Sequence, residues 1–347
     1  MTPLRHSSVA LILLVFAPHA VLAAPRSPGD SALKLELIGE GTVSTDQDEF
    51  GAMPDKEWTT LYFNRSVPAH YHYVMYLSHF KNGSWSVPET LPFSGEYRDS
   101  DPVLSADDRA LYFVSDRPAE GLEPNRFHAW SADRNPTGWT NLHPLRGPVN
   151  EKGNTEFVSF AANGNLYFTS DRSGSSFDVY RSRLVNAQYQ PAESLGPAVN
   201  DGRYTIEAFV APDESFVLLG SFARDSLGNA DLYITYNENG VWSKPVNFGP
   251  SINTKARDYS PRISPDGRYL LFSSERGFPT EPHDQPASYQ EFARRMHSTL
   301  NGLGNIYRVP LADALRAADE QRRKSAVANA LQHSEPGAPR SALPRAQ

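Results

Sequence analysis

Cysteine is absent from this chain of 347 residues, so disulfide bonds, thiolate metal sites and a lipid anchor on cysteine are all excluded. An excess of positive charge is also missing. Lys and Arg number 33 against 40 Asp and Glu, which gives a formal net charge of −7. Because binding to a phosphate backbone needs clustered basic residues, we do not expect a nucleic-acid partner.

Familiar catalytic motifs are missing as well. The sequence has no G-x-S-x-G nucleophile elbow, no phosphate-binding loop and no H-E-x-x-H zinc motif. The repeated region described below leaves no room for the α/β-hydrolase domain that some peptidase propellers carry. We therefore expect a binding function rather than an enzymatic one, although the sequence does not exclude an enzyme.

Long apolar runs are scarce, and the one at the start is typical of a secretory signal. Val9 to Ala20 is apolar, follows Arg5 and precedes the small residues Ala23 and Ala24. We expect residues 1–24 to be a signal peptide, 25–32 a linker, and the mature chain to be periplasmic or secreted. The run is too short for a confident membrane span, so no span is expected after cleavage.

What the sequence does contain is a repeat of about fifty residues, seen five times. An apolar triplet occurs as Leu61-Tyr62-Phe63, Leu111-Tyr112-Phe113, Leu166-Tyr167-Phe168, Val217-Leu218-Leu219 and Leu270-Leu271-Phe272. The third residues of the triplets are 50, 55, 51 and 53 positions apart. A repeat of this period built from short β-type runs indicates stacked supersecondary units, as in a solenoid or a propeller.

Each unit predicts four short antiparallel strands joined by hairpins, because aromatic and β-branched runs alternate with Gly, Asp, Asn and Pro. The fifth unit ends after its third strand, and Leu33 to Ile38 predicts the missing fourth. An N-terminal strand that completes the last blade closes a ring without free sheet edges. The fold class is therefore all-β, a β-propeller over residues 33–310 with five blades, six being the alternative.

Two segments depart from the repeat. In the fifth unit an insertion at about 278–303 contains Tyr289, Phe292, Ala293 and Met296 at helical spacing, which predicts a short helix. Residues 311–331 are rich in alanine and predict a second helix. Residues 332–347 are small, polar and proline-containing, which is typical of a disordered tail.

The repeat resembles that of the TolB-like, WD40-like (PD40) propellers. Ser264 to Gly277 carries the resemblance most clearly, and Asp107 to Arg117 and Gly164 to Gly174 are similar. The resemblance covers about residues 33–310. It implies a propeller, an export route in bacteria and a role as a protein-interaction module. The best-known member has six blades and a separate N-terminal domain, and this sequence predicts neither.

Acidic residues recur just before or within the first strand of every unit. They are Asp48, Glu49, Asp99, Asp101, Glu156, Glu207 and Asp258. Glu49, Asp99 and Asp258 lie 14 positions before the third residue of the triplet, whereas Glu156 and Glu207 lie 12 before it. First strands usually line the channel of a propeller, so the acids predict a ring at one mouth that attracts cations or a basic partner. Ca²⁺ is a candidate ion because it prefers oxygen ligands.

Arginines recur after the second strand of every unit, at Arg65, Arg117, Arg172, Arg224 and Arg276. Their recurrence favours structural pairing with the acids through charge-assisted hydrogen bonds. Ligand or ion binding and catalysis are the alternatives, and a catalytic site usually breaks internal symmetry because its groups need different environments. An acid within hydrogen-bond reach of one of these arginines is therefore interpreted as structural. Acids that lie close together without an arginine are interpreted as a binding or catalytic site.

The first unit also holds histidines. His70 and His72 alternate in the sequence, which would place them on one strand face, where a nearby carboxylate could help them bind Zn²⁺. No further ligand follows from the spacing, so they are weak metal candidates and no metal or other cofactor is expected.

The sequence thus predicts an exported, non-enzymatic propeller that binds a protein, peptide or glycan. The alternative is a propeller-type glycoside hydrolase or lyase that uses Asp48, Glu156 and Glu207 at the channel mouth. The sequence identifies neither the ligand nor the oligomeric state.

Overall fold

The computed structural model of the protein describes residues 33–174, 176–201, 204–223, 225–278 and 286–334. The expected signal peptide and linker, Arg224 and residues 335–347 lie outside these ranges. Apart from one small hairpin, the described strands form five antiparallel sheets arranged as a five-bladed β-propeller, which confirms the predicted fold class and blade number.

The first three blades follow one another along the chain. The first described strand is the short β1 (Glu36–Leu37), which belongs to blade 5. Blade 1 contains β2 (Asp48–Pro54), β3 (Thr60–Ser66) and β4 (Tyr73–Lys81), with the short outer strands β5 (Ser84–Trp85) and β6 (Glu89–Thr90). Blade 2 contains β7 (Asp99–Leu104), β8 (Ala110–Ser115), β9 (His128–Asn135) and β10 (Gly138–Pro144). Blade 3 contains β11 (Thr155–Phe160), β12 (Leu166–Ser170), β13 (Asp178–Ser182), the hairpin β14 (Leu184–Val185) and β15 (Gln188–Tyr189), and β16 (Glu193–Ser194).

The last two blades complete the ring. Blade 4 contains β17 (Thr205–Val210), β18 (Phe216–Ser221), β19 (Asp231–Glu238), β20 (Val241–Trp242) and β21 (Val246–Asn247). Blade 5 contains β22 (Asp258–Ile263), β23 (Tyr269–Ser274) and β24 (Asn305–Pro310). Its fourth strand is β1, in which Glu36 pairs with Arg308 and Leu37 with Tyr307. The N-terminal strand therefore closes the propeller, as predicted.

Aromatic side chains fill the space between blades. Trp139 of blade 2 packs edge-on against Tyr62 of blade 1, with 5.8 Å between ring centroids. Trp242 of blade 4 makes the same kind of contact with Tyr167 of blade 3 at 6.0 Å. Each ring of this size buries about 150–250 Å² of surface, so these pairs are a large part of what holds adjacent blades together.

Two helices lie outside the blades. Helix α1 (Tyr289–Met296) belongs to the insertion of blade 5 and is capped by Ser288, whose side chain accepts from the backbone N–H of Glu291. Helix α2 (Leu311–Ser334) follows β24 directly, buries Ala314, Ala317 and Ala318, and extends three residues past the predicted end at 331. No helix among the described residues combines the length and apolar content needed to cross a membrane.

Candidate functional site

One face of the propeller gathers the loops that follow the second strands and the residues that open the first strands. Pairing of Asp99 with Ser115 and of Asp258 with Ser274 places the start of each first strand beside the end of its second strand. We call this surface the mouth face. Its described loops are 67–72, 116–127, 171–174, 176–177, 222–223, 225–230, 275–278 and 286–304.

In three blades an acid near the start of the first strand meets the repeated arginine. Arg65 Nε donates to Glu49 Oε1 at 3.1 Å, and Arg276 Nη2 donates to Asp258 Oδ1 at 2.6 Å. In blade 2, Arg117 Nη2 donates to Asp99 Oδ1. All three carboxyl groups are buried, and burial raises the pKa of Asp99 despite the nearby guanidinium. These pairs tie the first and second strands together.

Each of the three arginines also stacks on an aromatic pair of its own blade. The guanidinium of Arg276, for example, lies 5.2 Å from the ring centroid of Phe272 and 4.9 Å from that of Tyr307. Ion pair and cation–π contact together immobilise the side chain, because the planar guanidinium can do both at once.

Blade 3 lacks this pair. Thr155 occupies the position of the paired acid, opposite Ser170, and the guanidinium of Arg172 donates instead to the backbone carbonyls of Pro148 and Val149. Blade 4 has Thr205 at the same position, opposite Ser221. The acids of these two blades are therefore displaced along the strand from the paired position.

Glu156 lies at an irregularity of β11, between Thr155 and Phe157, where the register against β12 shifts. Such bulges redirect a side chain, here away from the ladder. Within the described part of the chain, Glu156 makes no hydrogen bond and no ion pair. Its side chain is partly accessible, yet burial first, then the charges of Asp101 and Glu207, raise its pKa to about 8. It therefore keeps its proton at neutral pH.

Glu207 is more deeply buried, with 3% of its surface exposed. Its carboxyl group lies over Gly220, where an added Cβ would come within 2.1 Å of Oε2. Ser260 Oγ donates to Oε1 at 3.2 Å, whereas Oε2 has no hydrogen-bond partner among the described residues. Burial, and next the charge of Asp101, raise the pKa of Glu207 to about 7.

A buried ion pair crosses the central channel beside these acids. Arg262 of blade 5 is fully buried, and its Nη2 donates to Asp101 Oδ1 of blade 2 at 2.7 Å. The same guanidinium lies 4.2 Å from the ring centroid of Phe157 in blade 3. Because blades 5 and 2 are not neighbours in the ring, this ion pair spans the channel. We call Arg262, Asp101 and Phe157, with Glu156 and Glu207 near them, the floor of the mouth face.

Asp48 and His70 lie at the edge of this floor, and neither is free. Asp48 accepts from Ser66 Oγ at 2.6 Å and from the backbone N–H of Gly304 at 2.9 Å. His70 Nε2 lies 2.8 Å from Nη1 of Arg257, and burial, with the charge of Arg257 second, lowers the pKa of His70. Nε2 of a neutral His70 therefore accepts from Arg257.

The expectation that His70 and His72 share a strand face is wrong. His70 ends a 3₁₀ turn (Pro68–His70), in which Ala69 and His70 have φ of +67° and +53°, and β4 begins only at Tyr73. Both residues precede the strand, and both line the larger cavity described next. No group of three or more His, Asp or Glu side chains among the described residues is placed to hold a metal ion.

Two cavities open on the mouth face and meet at Ala69 and His70. The larger, of about 650 Å³, is lined by His70, Tyr71, His72, Tyr97, Arg98 and Asp116 among others. The smaller, of about 400 Å³, is lined by Asp48, Phe222, Asn229, Arg257 and Glu275. The turn that carries His70 thus divides an opening that is large enough for several side chains of a ligand.

Exposed apolar side chains concentrate on the same face of the propeller, and two of them, Tyr71 and Phe222, line the two cavities. Of the fourteen large exposed hydrophobic residues among those described, nine belong to the mouth face: Val67, Tyr71, Tyr204, Phe222, Leu227, Tyr289, Phe292, Met296 and Leu300. Three lie on α1, none of whose residues is buried. We call these nine residues the apolar rim. A cluster of this kind marks an interaction surface more often than single exposed residues do.

Sequence reasoning missed several residues of this site. Arg262 has no counterpart in the other units, so the repeat gives no signal for it. Arg98 and Arg257 did carry a signal, since each directly precedes the paired acid of its unit. Gly220 did carry a signal. It follows an apolar triplet, where the other units have Asn64, Val114, Thr169 and Ser273, and a glycine within a strand often marks a close approach of another group.

No protein-family model matches the chain, and no curated protein matches it. Solved structures that are similar include a candidate TolB from Agrobacterium tumefaciens, with 13% identity over 69% of this chain and 73% of the other, at a TM-score of 0.43. An α-L-arabinofuranosidase from Lactobacillus brevis has 12% identity over 78% of this chain and 92% of the other, at a TM-score of 0.46. A puromycin-hydrolyzing peptidase from Mycobacterium tuberculosis has 13% identity over 74% of this chain and 41% of the other, at a TM-score of 0.36. Likenesses of this size carry no argument about activity.

Proposed function

We propose that this chain is an exported, non-enzymatic binding module that holds a protein or peptide partner on its mouth face. The observation that carries the proposal is the apolar rim around a closed, acidic floor. Rigid blades hold five sets of loops in fixed positions, and binding then depends on shape and polar complementarity. Export is proposed from the N-terminal sequence alone.

The composition of the apolar rim favours a protein over a glycan. Leu227, Met296 and Leu300 offer aliphatic surface without a flat aromatic face or a polar tip. Protein interfaces bury such side chains at their centre, together with Tyr, Phe and Met, inside a polar border. Tyr71 and Tyr204 would suit a sugar equally well, but the aliphatic members of the rim would not.

Hydrolysis of a glycoside is the second candidate, and one observation favours it. Glu156 keeps its proton near neutral pH, as a general acid must. A glycosidase also needs a second carboxyl group facing the same bond. Asp48 already accepts two hydrogen bonds and Glu207 is buried over Gly220, so neither is well placed as that partner.

A retention experiment with matched variants tests the proposal. Tagged mature protein would be mixed with extract of the source cell, and retained proteins identified for wild type, Phe292→Ala/Met296→Ala and Val87→Ala/Val241→Ala. The second pair lies on exposed outer edges of blades 1 and 4, away from the mouth face. We expect that wild type and Val87→Ala/Val241→Ala retain a small set of proteins, and that Phe292→Ala/Met296→Ala loses them.

Equal retention by both variants would overturn the mouth face as the binding surface. Release of sugar from a polysaccharide by the purified wild type, abolished in Glu156→Gln, would replace the proposal with the hydrolase. A folded Glu156→Gln variant is expected, because Glu156 is mostly protonated at pH 7 and glutamine is a neutral side chain of similar shape.

A further inference from the structure

We propose that the floor of the mouth face binds a guanidinium or ammonium group, namely the end of an Arg or Lys side chain of the partner, with Glu156 as its counter-ion. This inference rests on the proposed function and adds the chemistry that the floor recognises. It concerns one side chain of the ligand and leaves the apolar rim to bind the rest.

The first support is that Glu156 lacks a partner although cations lie close by. Arg98 is engaged by Asp116, with Nε 2.8 Å from Oδ2, and Arg262 is engaged by Asp101. Arg257 is engaged by His70. Because each of these guanidinium groups has its own acceptor, Glu156 is left as the accessible carboxyl group without a cation.

A second, independent support comes from Glu207. Its Oε2 is buried and has no hydrogen-bond partner in the described ranges, and the charges of Asp101, Arg257 and Arg262 act on its carboxyl group. A buried acceptor without a donor is costly, so such groups tend to mark places where a donor arrives from outside. The ionised form of Glu207 adds negative potential at Glu156.

Aromatic rings supply the third support. Tyr73 stacks on Phe127 at 6.1 Å between centroids, and Arg98 lies 4.6 Å from the centroid of Phe127. The charge of Glu156 acts on both Tyr73 and Tyr204, and Tyr204 is 41% exposed. A carboxyl group beside ring faces is the arrangement that binds organic cations, and Arg98 already shows a guanidinium held in this way.

The charges that face Glu156 come from several blades. They are Asp101 of blade 2, Asp171 after β12, Glu207 of blade 4 and Arg98 before β7. Acids therefore outnumber bases around this group even though Asp101 is paired. An organic cation fits better than Ca²⁺, because no three acidic or His side chains in the described part of the chain are placed around one point.

Binding of a cation would be linked to release of a proton. Glu156 is mostly protonated at pH 7 because its pKa is about 8. A cation stabilises the ionised form, so the proton leaves as the ligand enters. Affinity should then rise as pH increases from 6 to 9, which a neutral ligand would not show.

The test uses butylguanidinium as the probe and butylurea as its neutral isostere, both at millimolar concentrations, with wild type, Glu156→Gln and Glu151→Gln. Glu151 is an exposed acid of the same blade and serves as the matched control. Titration calorimetry in phosphate and HEPES buffers, which offer no primary ammonium group to compete with the probe, would measure both affinity and proton release.

We expect wild type and Glu151→Gln to bind butylguanidinium at least about tenfold more tightly than butylurea, with proton release, and Glu156→Gln to lose this preference. Equal binding of the two probes, no binding of either, or an unchanged preference in Glu156→Gln would overturn the inference. Ca²⁺ that displaces the probe from wild type and fails to bind Glu156→Gln would overturn it in favour of a metal site.

Partner retention separates this inference from the proposed function. If Glu156→Gln retains the captured proteins as well as wild type does, while Phe292→Ala/Met296→Ala loses them, the cation site is wrong and the proposed function stands. If both variants retain them, the mouth face itself is wrong.

Discussion

Blades 1, 2 and 5 differ from blades 3 and 4 in how they use an acid at the start of the first strand. In the first group Glu49, Asp99 and Asp258 each form an ion pair with the arginine of their blade, and all three carboxyl groups are buried. In the second group a threonine takes that position, and the acid lies one or two residues further along. A shift this small moves the carboxyl group from the strand ladder to the floor of the mouth face.

The difference teaches that repetition and departure from it have separate meanings in this fold. A pair repeated in three blades serves a need that every blade has, which is to hold two strands together. Glu156 and Glu207 leave that pattern at a stability cost, since their ionised forms are disfavoured. A departure from the repeat that lowers stability is expected mainly where the function of the protein requires it.

The largest effect on stability is expected when the arginine of a buried ion pair is removed. The matched comparison removes Arg172, which has no acid as its partner among the described residues. Arg117→Ala leaves Asp99 buried without a cation, which should lower the free energy of unfolding by about 3–5 kcal/mol. Arg172→Ala leaves no acid behind and loses hydrogen bonds to two carbonyls, for about 1–3 kcal/mol.

Chemical denaturation of the two variants measures both values. Equal losses in the two blades would show that the arginines act through stacking and carbonyl contacts, and the contrast between the blade groups would disappear.

A smaller effect is expected from pH. The pKa of Glu207 is about 7 in the folded protein against an ordinary value of 4.5, so protonation favours folding. Stability from this group is complete below pH 4.5 and is lost as pH rises through about 7. A shift of this size corresponds to a few kcal/mol, on the order of 3.

Glu207→Gln cannot ionise and should remove this share of the pH dependence, so its stability relative to wild type rises between pH 4.5 and 8. Glu156→Gln should behave in the same way up to a higher pH, because the pKa of Glu156 is about 8. Denaturation curves at a series of pH values would reveal the trend. A difference from wild type that stays constant with pH would contradict it.

The smallest expected effect concerns the space over Gly220. Gly220→Ala places a methyl group against Glu207 Oε2 and should cost about 1–3 kcal/mol by overpacking. In Glu207→Ala the same change should cost less, because the carboxyl group is gone. A double-mutant cycle measures this coupling, and additive losses would mean that the two residues do not share the space.

The fold was predictable because its information is repeated. The apolar triplet indicates the second strand of a blade, and it occurs once in each of the five units. The missing fourth strand of blade 5 is accounted for by Leu33 to Ile38. Turn residues agree with the observed backbone, since Gly164 and Gly267 take φ of +84° and +70° where tight turns need them. Independent copies of one pattern outweigh the ambiguity of any single copy.

The site was only partly predictable, for the opposite reason. The spacings of 14 and 12 residues separate the paired acids from Glu156 and Glu207, but their meaning depends on the bulges in β11 and β17. Arg262 meets Asp101 across 161 positions of sequence, and no local pattern reports such a contact. The repeat groups Asp48 with the other acids, whereas the structure separates it from them through its hydrogen bonds with Ser66 and Gly304.

The strand β1 has a consequence for the order in which the molecule can assemble. Its two residues pair with Arg308 and Tyr307, and Ile38 N–H donates to the carbonyl of Ile306 at 2.9 Å. Blades 1 to 4 can form as the chain emerges, but the first-made strand must wait for the last-made one before the ring closes. Until that moment both edges of the seam are open to wrong pairing, and the growing protein is vulnerable to aggregation for as long as β24 has not been made.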